Sequence, residues 1–165
     1  MGWSPSLRGA WAAFWPSRLV VFGVAVYVAV AGLDPSGEEV AGGLLHPFGT
    51  WPAHGLFDLV FSTPAKWDSV HFLTIAYDGY SEGSPIAGTP EDHRAAFFPL
   101  YPGAVHVLGG FGASLGATLV MAYAVSLACF FGALVLLHRL TTIEIGERYA
   151  TPTLLLLAFF PTALF

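Results

Sequence analysis

Charge is what this chain has least of. Only 10% of its 165 residues are Asp, Glu, Lys or Arg, against about 25% in an average soluble domain. That is too little to clothe a water-facing surface. With 55% hydrophobic residues and a mean hydropathy of +0.66, the composition implies an integral membrane protein. Bases are rarest: six Lys and Arg against eleven Asp and Glu leave a net charge of −5. This excludes nucleic acid as a partner, because phosphate backbones select basic patches. The single cysteine, Cys129, lies in an apolar run, can form no intramolecular disulfide and reads as a small apolar filler. The chain has no internal repeat, no low-complexity tract and no zinc-type cysteine pattern.

What is present is apolar sequence, in three stretches. The first, "SRLVVFGVAVYVAVAGL" at 17–33, makes a helix of about 25 Å at 1.5 Å per residue. That is slightly short of a hydrocarbon core of about 30 Å, but Arg18 is placed to snorkel and "WAAFW" supplies an aromatic belt. A cleaved signal peptide, with Ala29-Val30-Ala31 as the cleavage site, is the competing reading. The long, tryptophan-rich leader and the apolar segments downstream speak against it. The second stretch, "ATLVMAYAVSLACFFGALVLL" at 117–137, has 21 residues without a charge and predicts a spanning helix over 117–138. The third, "TPTLLLLAFFPTALF" at 151–165, begins like a helix with Thr151 as N-cap and Pro152 at N1. It reaches Phe165 with no polar cap or flanking charge, so the expectation is the N-terminal part of a longer protein, truncated within this helix.

The charges that remain are sorted by side. Residues 34–96 hold nine of the eleven acids and only two bases, Lys66 and Arg94. Arg8, Arg18, Arg139 and Arg148 flank the apolar runs on their other sides. The positive-inside rule puts the N-terminus and the 138–150 turn in the cytoplasm, and the long first loop outside, in the periplasm or a lumen. The expected location is a plasma (inner) membrane, crossed more than once. "FFPLYPGAVHVLGGF" at 97–111 is short, glycine-ended and carries two prolines, so an interfacial or re-entrant helix over about 97–112 is expected rather than a full span.

The external loop contains "STPAKWDSVHFLTIAYDGY", with its own start and stop signals. Thr63 can cap, Pro64 suits N1 and Gly79 suits C′ after Asp78. The helix over about 64–78 is too short and too polar to span, and should lie along the membrane surface. Asp68, His71, Phe72 and Ile75 fall at i, i+3, i+4 and i+7, so an acid and an imidazole share one face. Trp67, Val70, Thr74 and Tyr77 form the adjoining stripe. An aspartate among apolar neighbours at headgroup depth is partly desolvated, which raises its affinity for a proton and suits it to act as a base. A solvated charge cluster on an exposed face is the plainer alternative.

At these residues the sequence resembles a known family. "KWDSVHFLTIAYDGY", followed after a short gap by "AAFFPLYP", is similar to the signature of the GPI mannosyltransferase 2 (PIG-V) family, glycosyltransferase family 76, with its bacterial relatives. The matching positions are Lys66, Trp67, Asp68, His71, Phe72, Ile75, Ala76, Gly79, Tyr80 and 97–102. "LLLLAFFPTALF" resembles a later family helix that ends in a Phe-Pro segment. The family continues into a Tyr-x-Glu-Ser-type motif, which this chain does not reach. The resemblance implies an all-α, GT-C-type multi-helix membrane architecture with its active site on the external face. It further implies a polyprenyl-phosphate sugar donor, typically mannose, and Asp68 as the catalytic acidic residue of the first external loop.

The chemistry then assigns roles. Asp68 is the expected general base, taking a proton from an acceptor hydroxyl that attacks the anomeric carbon; one displacement inverts configuration. The phosphate leaving group needs a cation more than a proton donor, and Lys66, His93 and Arg94 are the candidates. His71 is expected to orient Asp68 or meet the donor phosphate. Trp67 and Tyr80 are candidate sugar-stacking residues, although interface anchoring accounts for both. Residues 97–102 shape the wall of a lipid groove, with Phe98 and Tyr101 as candidate substrate contacts. His46, His54, His106 and His138 have no evident partners in the sequence and read as structural. No cofactor is expected, divalent metal included. The partners are the donor lipid, the bilayer and a glycan, glycolipid or protein acceptor. The Ala/Gly/Pro-rich composition suits a GC-rich bacterium and hence a cell-envelope mannoconjugate. Two rivals remain: a non-catalytic membrane subunit or transporter fragment, and a metalloenzyme using Asp68, His71, Asp92 and His93. Transport is disfavoured because no charge lies inside the apolar runs beyond Arg18 at the edge of the first, and the metalloenzyme because no HExxH-type pattern is present.

Overall fold

A computed structural model describes residues 2–30, 68–80, 97–110 and 113–160. Among these residues every regular element is an α-helix: α1 Pro5–Val30, α2 Asp68–Asp78, α3 Leu100–Gly109, α4 Leu115–Glu144 and α5 Glu147–Ala158. The chain divides into two compact units, one of 1–24 with 126–165 and one of 25–125.

In the first unit, α1 begins twelve residues before the apolar run that announced it. Pro5 sits where a helix has no use for its missing N–H, and the Ser4 hydroxyl accepts a hydrogen bond from the Leu7 amide at 3.4 Å. Arg18 therefore lies in the middle of α1 rather than at its start, and its guanidinium rests over the Phe130 ring, 4.3 Å from the centroid. Hydropathy marked the edge of the greasy segment, but the backbone ladder continues through the Trp/Ala-rich turns before it.

The contact face of α1 is built of small residues. Ser6, Ala10, Ala13 and Ser17 are all buried at helical spacing, the kind of stripe that lets helix backbones approach in lipid. Gly9 lies within this stretch, and a Cβ there would stand 2.5 Å from His138 Cδ2 and 3.2 Å from Thr151 Oγ1. Glycine is required because a ring from α4 and a hydroxyl from α5 converge on that point. Leu134, Leu154 and Ala158 complete the buried cluster with Ala10, Ala13 and Phe14. Of the "WAAFW" rings, Trp11 meets Phe131 at 5.2 Å and Phe14 meets it edge-on at 5.4 Å, so two belt residues pack within the unit, while Trp15 is exposed.

α4 has 30 residues, about 45 Å at 1.5 Å each, longer than a hydrocarbon core of about 30 Å. Its stretch Gly116–Glu144 is long and apolar enough to cross a membrane, the one such helix among the described residues. Only 17% of its most apolar window is buried, which a core helix of a soluble protein would reverse. The expected 138–150 turn is mostly helical: α4 runs on to Glu144, and the break falls at Ile145 and Gly146. Gly146 has φ 116°, a conformation that L side chains rarely adopt. α5 then starts at Glu147, whose carboxylate suits a first turn. Thr151 and Pro152 consequently lie inside α5 and do not cap it.

In the second unit, α2, α3 and the start of α4 share a core of Leu73, Ala76, Val105, Leu119 and Ala122. Pro99 and Pro102 do not prevent α3, because the first turn of a helix has no intrahelical partner for its amides. α3 has 10 residues, about 15 Å, too few to span. Four consecutive residues of α2, Leu73, Thr74, Ile75 and Ala76, are buried. At 100° per residue they cover most of the circumference, so the central turn of α2 is enclosed on most sides.

Candidate functional site

α2 and α3 pack side by side and run in the same direction. Near their starts, Phe72 meets the Tyr101 ring edge-on at 5.4 Å. One turn further on, His106 Nδ1 lies 2.7 Å from the Ala76 carbonyl oxygen. Both contacts step forward together along the two helices, which an antiparallel pair could not give.

This register brings the two sequence motifs together. The His71 ring stacks on Phe97 at 4.9 Å with 19° between planes, and Phe72 meets Phe97 edge-on at 5.1 Å. The Tyr80 hydroxyl donates to the Phe97 carbonyl at 2.8 Å, tying the residue after the glycine turn to the same point. Gly79, with φ 79°, follows α2 directly, and its amide donates to the Ile75 carbonyl at 2.9 Å. Tyr101 carries the connection onward, its hydroxyl donating to the Ala122 carbonyl on α4 at 3.1 Å.

The candidate site residues divide accordingly. Asp68 is the first residue of α2. His71 and Tyr80 contact Phe97 and Tyr101 joins them through Phe72, whereas Phe98 is 75% exposed. Lys66, Trp67, His93 and Arg94 lie outside the described residues, as do His46 and His54.

Two histidines read as partnerless have partners. A carbonyl can only accept, so the contact with Ala76 makes His106 Nδ1 the donor. His138 is buried to 5% exposure, with the Thr142 hydroxyl 3.4 Å from its Nδ1. Sequence reasoning missed His106 because its partner is a backbone carbonyl on another helix; the only local signal was its place on a helix beside a glycine pair.

No protein-family model, no curated protein and no solved structure matches this chain. What sequence and fold define together is a protein whose regular elements, among the described residues, are all helices, one of them long and apolar enough to cross a membrane.

Proposed function

We propose that the chain forms part of a multi-pass membrane glycosyltransferase of GT-C type, which transfers a sugar, mannose first among candidates, from a polyprenyl-phosphate donor. The acceptor is a hydroxyl on the external face, and the configuration inverts. Asp68 is the general base: it takes the hydroxyl proton as the oxygen attacks the anomeric carbon. The bond from that carbon to phosphate oxygen breaks, and polyprenyl phosphate leaves with the electron pair. Lys66, His93 and Arg94 supply positive charge for the leaving phosphate. A carrier lipid keeps its tail in the bilayer and its phosphate at headgroup level, so the groups that serve it belong at the interface.

The observation that carries this reading is the meeting of the two motifs that resemble the family signature. His71 and Phe72 of the first close on Phe97 and Tyr101 of the second. Residues that served one reaction would have to meet in space, and this meeting supports the reading. Asp68 opens the same helix one turn before His71.

The test is transfer of labelled mannose from polyprenyl phosphate in membranes carrying the full-length protein, with Asp68→Ala as the variant. Transfer is expected to vanish while expression and membrane insertion persist. Near-normal transfer by the variant would rule out Asp68 as the base.

A further inference from the structure

Arg8, Arg139 and Arg148 are all exposed, and the packing of the first unit brings them to one end of it. The close approach of Gly9, His138 and Thr151 sets a common level there. Further along α1, Phe14 meets Phe131 and Arg18 lies over Phe130. Contacts thus retreat along α4 as α1 advances, so the two helices are antiparallel. Leu154 and Ala158 join Ala10, Ala13, Phe14 and Leu134 in one cluster, so α5 turns back beside them. The start of α1, the end of α4 and the start of α5 therefore lie together. Counted outward from the common level, Arg8 and Arg139 stand about 1.5 Å along their helices and Arg148 about 4.5 Å. Glu147 and Glu144 follow at about 6 and 9 Å.

That level coincides with the edge of a bilayer core. The uncharged run 117–137 is about as long as the hydrocarbon is thick, and His138 and Arg139 follow it directly. The arginines stand where lipid headgroups begin, with the glutamates on their watery side. Beyond Arg139 the surface does not turn polar. Leu140, Ile143 and Ile145 are exposed, Ile143 to 78%, and Trp3 and Tyr149 are exposed with them. Arginine mixed with apolar and aromatic side chains is the chemistry of the headgroup zone.

The charge of this end favours anions. Among the described residues, the side chains of Arg8 and Arg139 enter no ion pair and no hydrogen bond. The Arg148 guanidinium lies 4.3 Å from the centroid of the Tyr149 ring and donates to its hydroxyl, which steadies it without neutralising it. Two helix N-termini, those of α1 and α5, meet one C-terminus, that of α4, and add partial positive charge. Glu144 and Glu147 are the opposing acids, and both stand farther from the hydrocarbon.

We propose that this end of the first unit binds anionic phospholipids of the leaflet in which it lies. Arg8 and Arg139 are the principal contacts to their headgroups, and Arg148 is a third. The exposed isoleucines commit the surface to lipid rather than to free phosphate, because they need acyl chains to lie against. The inference rests on α4 crossing the bilayer and is independent of sugar transfer.

The test uses the full-length protein in phosphatidylcholine bilayers, with spin-labelled phosphatidylglycerol or spin-labelled phosphatidylcholine as the probe. Electron paramagnetic resonance gives the fraction of each probe immobilised at the protein surface, and the ratio of the two measures selectivity. At low ionic strength phosphatidylglycerol is expected to be preferred by about fivefold, the effect of roughly one arginine at an anionic surface. Added salt should shrink the preference. Arg139→Gln should remove a large part of it, and the triple variant Arg8→Gln, Arg139→Gln, Arg148→Gln should bring the ratio close to one, with helical circular dichroism unchanged. Equal immobilisation of both probes by the unaltered protein would overturn the proposal, and is the result expected if a soluble partner covers this end. Undiminished preference in both folded variants would overturn it as well, by placing the lipid contacts elsewhere. The ratio needs no turnover, so failure of the Asp68 transfer assay leaves it standing, and the reverse also holds.

Discussion

The His71 ring lies almost flat on Phe97, centroids 4.9 Å apart, while Phe72 presses edge-on against the same Phe97 ring at 5.1 Å. Phe97 is therefore the point at which one motif grips the other. It is half-buried, so Phe97→Ala should cost about 1–3 kcal/mol, less than the about 3–5 of a fully buried phenylalanine. A double-mutant cycle with His71→Ala should give a coupling of about 0.5–1.5 kcal/mol by thermal unfolding in nanodiscs. Simple additivity would deny the stacking any energetic weight.

Gly9 and His138 make a second pair whose tolerance is set by distance. A Cβ at position 9 would stand 2.5 Å from His138 Cδ2 and 2.9 Å from its Nε2. Both atoms belong to a rigid ring in a buried residue, so Gly9→Ala should destabilise the protein by about 1–3 kcal/mol, the usual cost of overpacking. Trimming the ring restores the room. The Gly9→Ala, His138→Ala double variant should unfold at a higher temperature than the sum of the single effects allows.

Two leucines on α4 separate packing from lipid exposure. Leu134 is fully buried and Leu136 is 66% exposed. In a bilayer, a helix gains little from hiding apolar surface, because lipid is equally apolar; what remains is the packing lost around a cavity. Leu134→Ala should therefore cost about 1–3 kcal/mol, below the upper part of the range for cores in water. Leu136→Ala should stay within about 0.5 kcal/mol. Equal effects in a membrane unfolding titration would contradict this division of the helix.

Topology can be read by cysteine labelling, since only Cys129 must first be removed. In a Cys129→Ala background, Ser84→Cys in the acid-rich segment 34–96 should react with a charged maleimide in intact cells. Ile145→Cys, exposed in the turn after α4, should react only after the membrane is opened. Labelling of both from outside would refute the sidedness deduced from Arg139 and Arg148. Native Cys129, exposed on the apolar middle of α4, should remain unreactive in either condition.

Tyr101 offers a test of how α3 is held to α4. Its hydroxyl donates to the Ala122 carbonyl at 3.1 Å, and one hydrogen bond of this kind contributes about 0.5–1.5 kcal/mol net. Tyr101→Phe keeps the ring contact with Phe72 and should lower stability by that amount. A loss of sugar transfer beyond what this destabilisation explains would assign the hydroxyl a place at the substrate.

Some of this molecule was legible residue by residue. The 21 uncharged residues at 117–137 announce α4, and Gly79 marks the end of α2, because apolar length and glycine chemistry are properties of a residue and its near neighbours. Where helices begin and end was less legible: hydropathy stops at the first polar residue, whereas the backbone ladder runs on until something breaks it. Pro5 and Gly146 were the true limits, and the polar turns of Arg8 and Arg139 lie inside helices. The meeting of His71 with Phe97, the carbonyl that orients His106 and the close approach of Gly9 to His138 were invisible from the chain. Each depends on the register between two helices distant in sequence, which side-chain volumes decide only once the helices are pressed together.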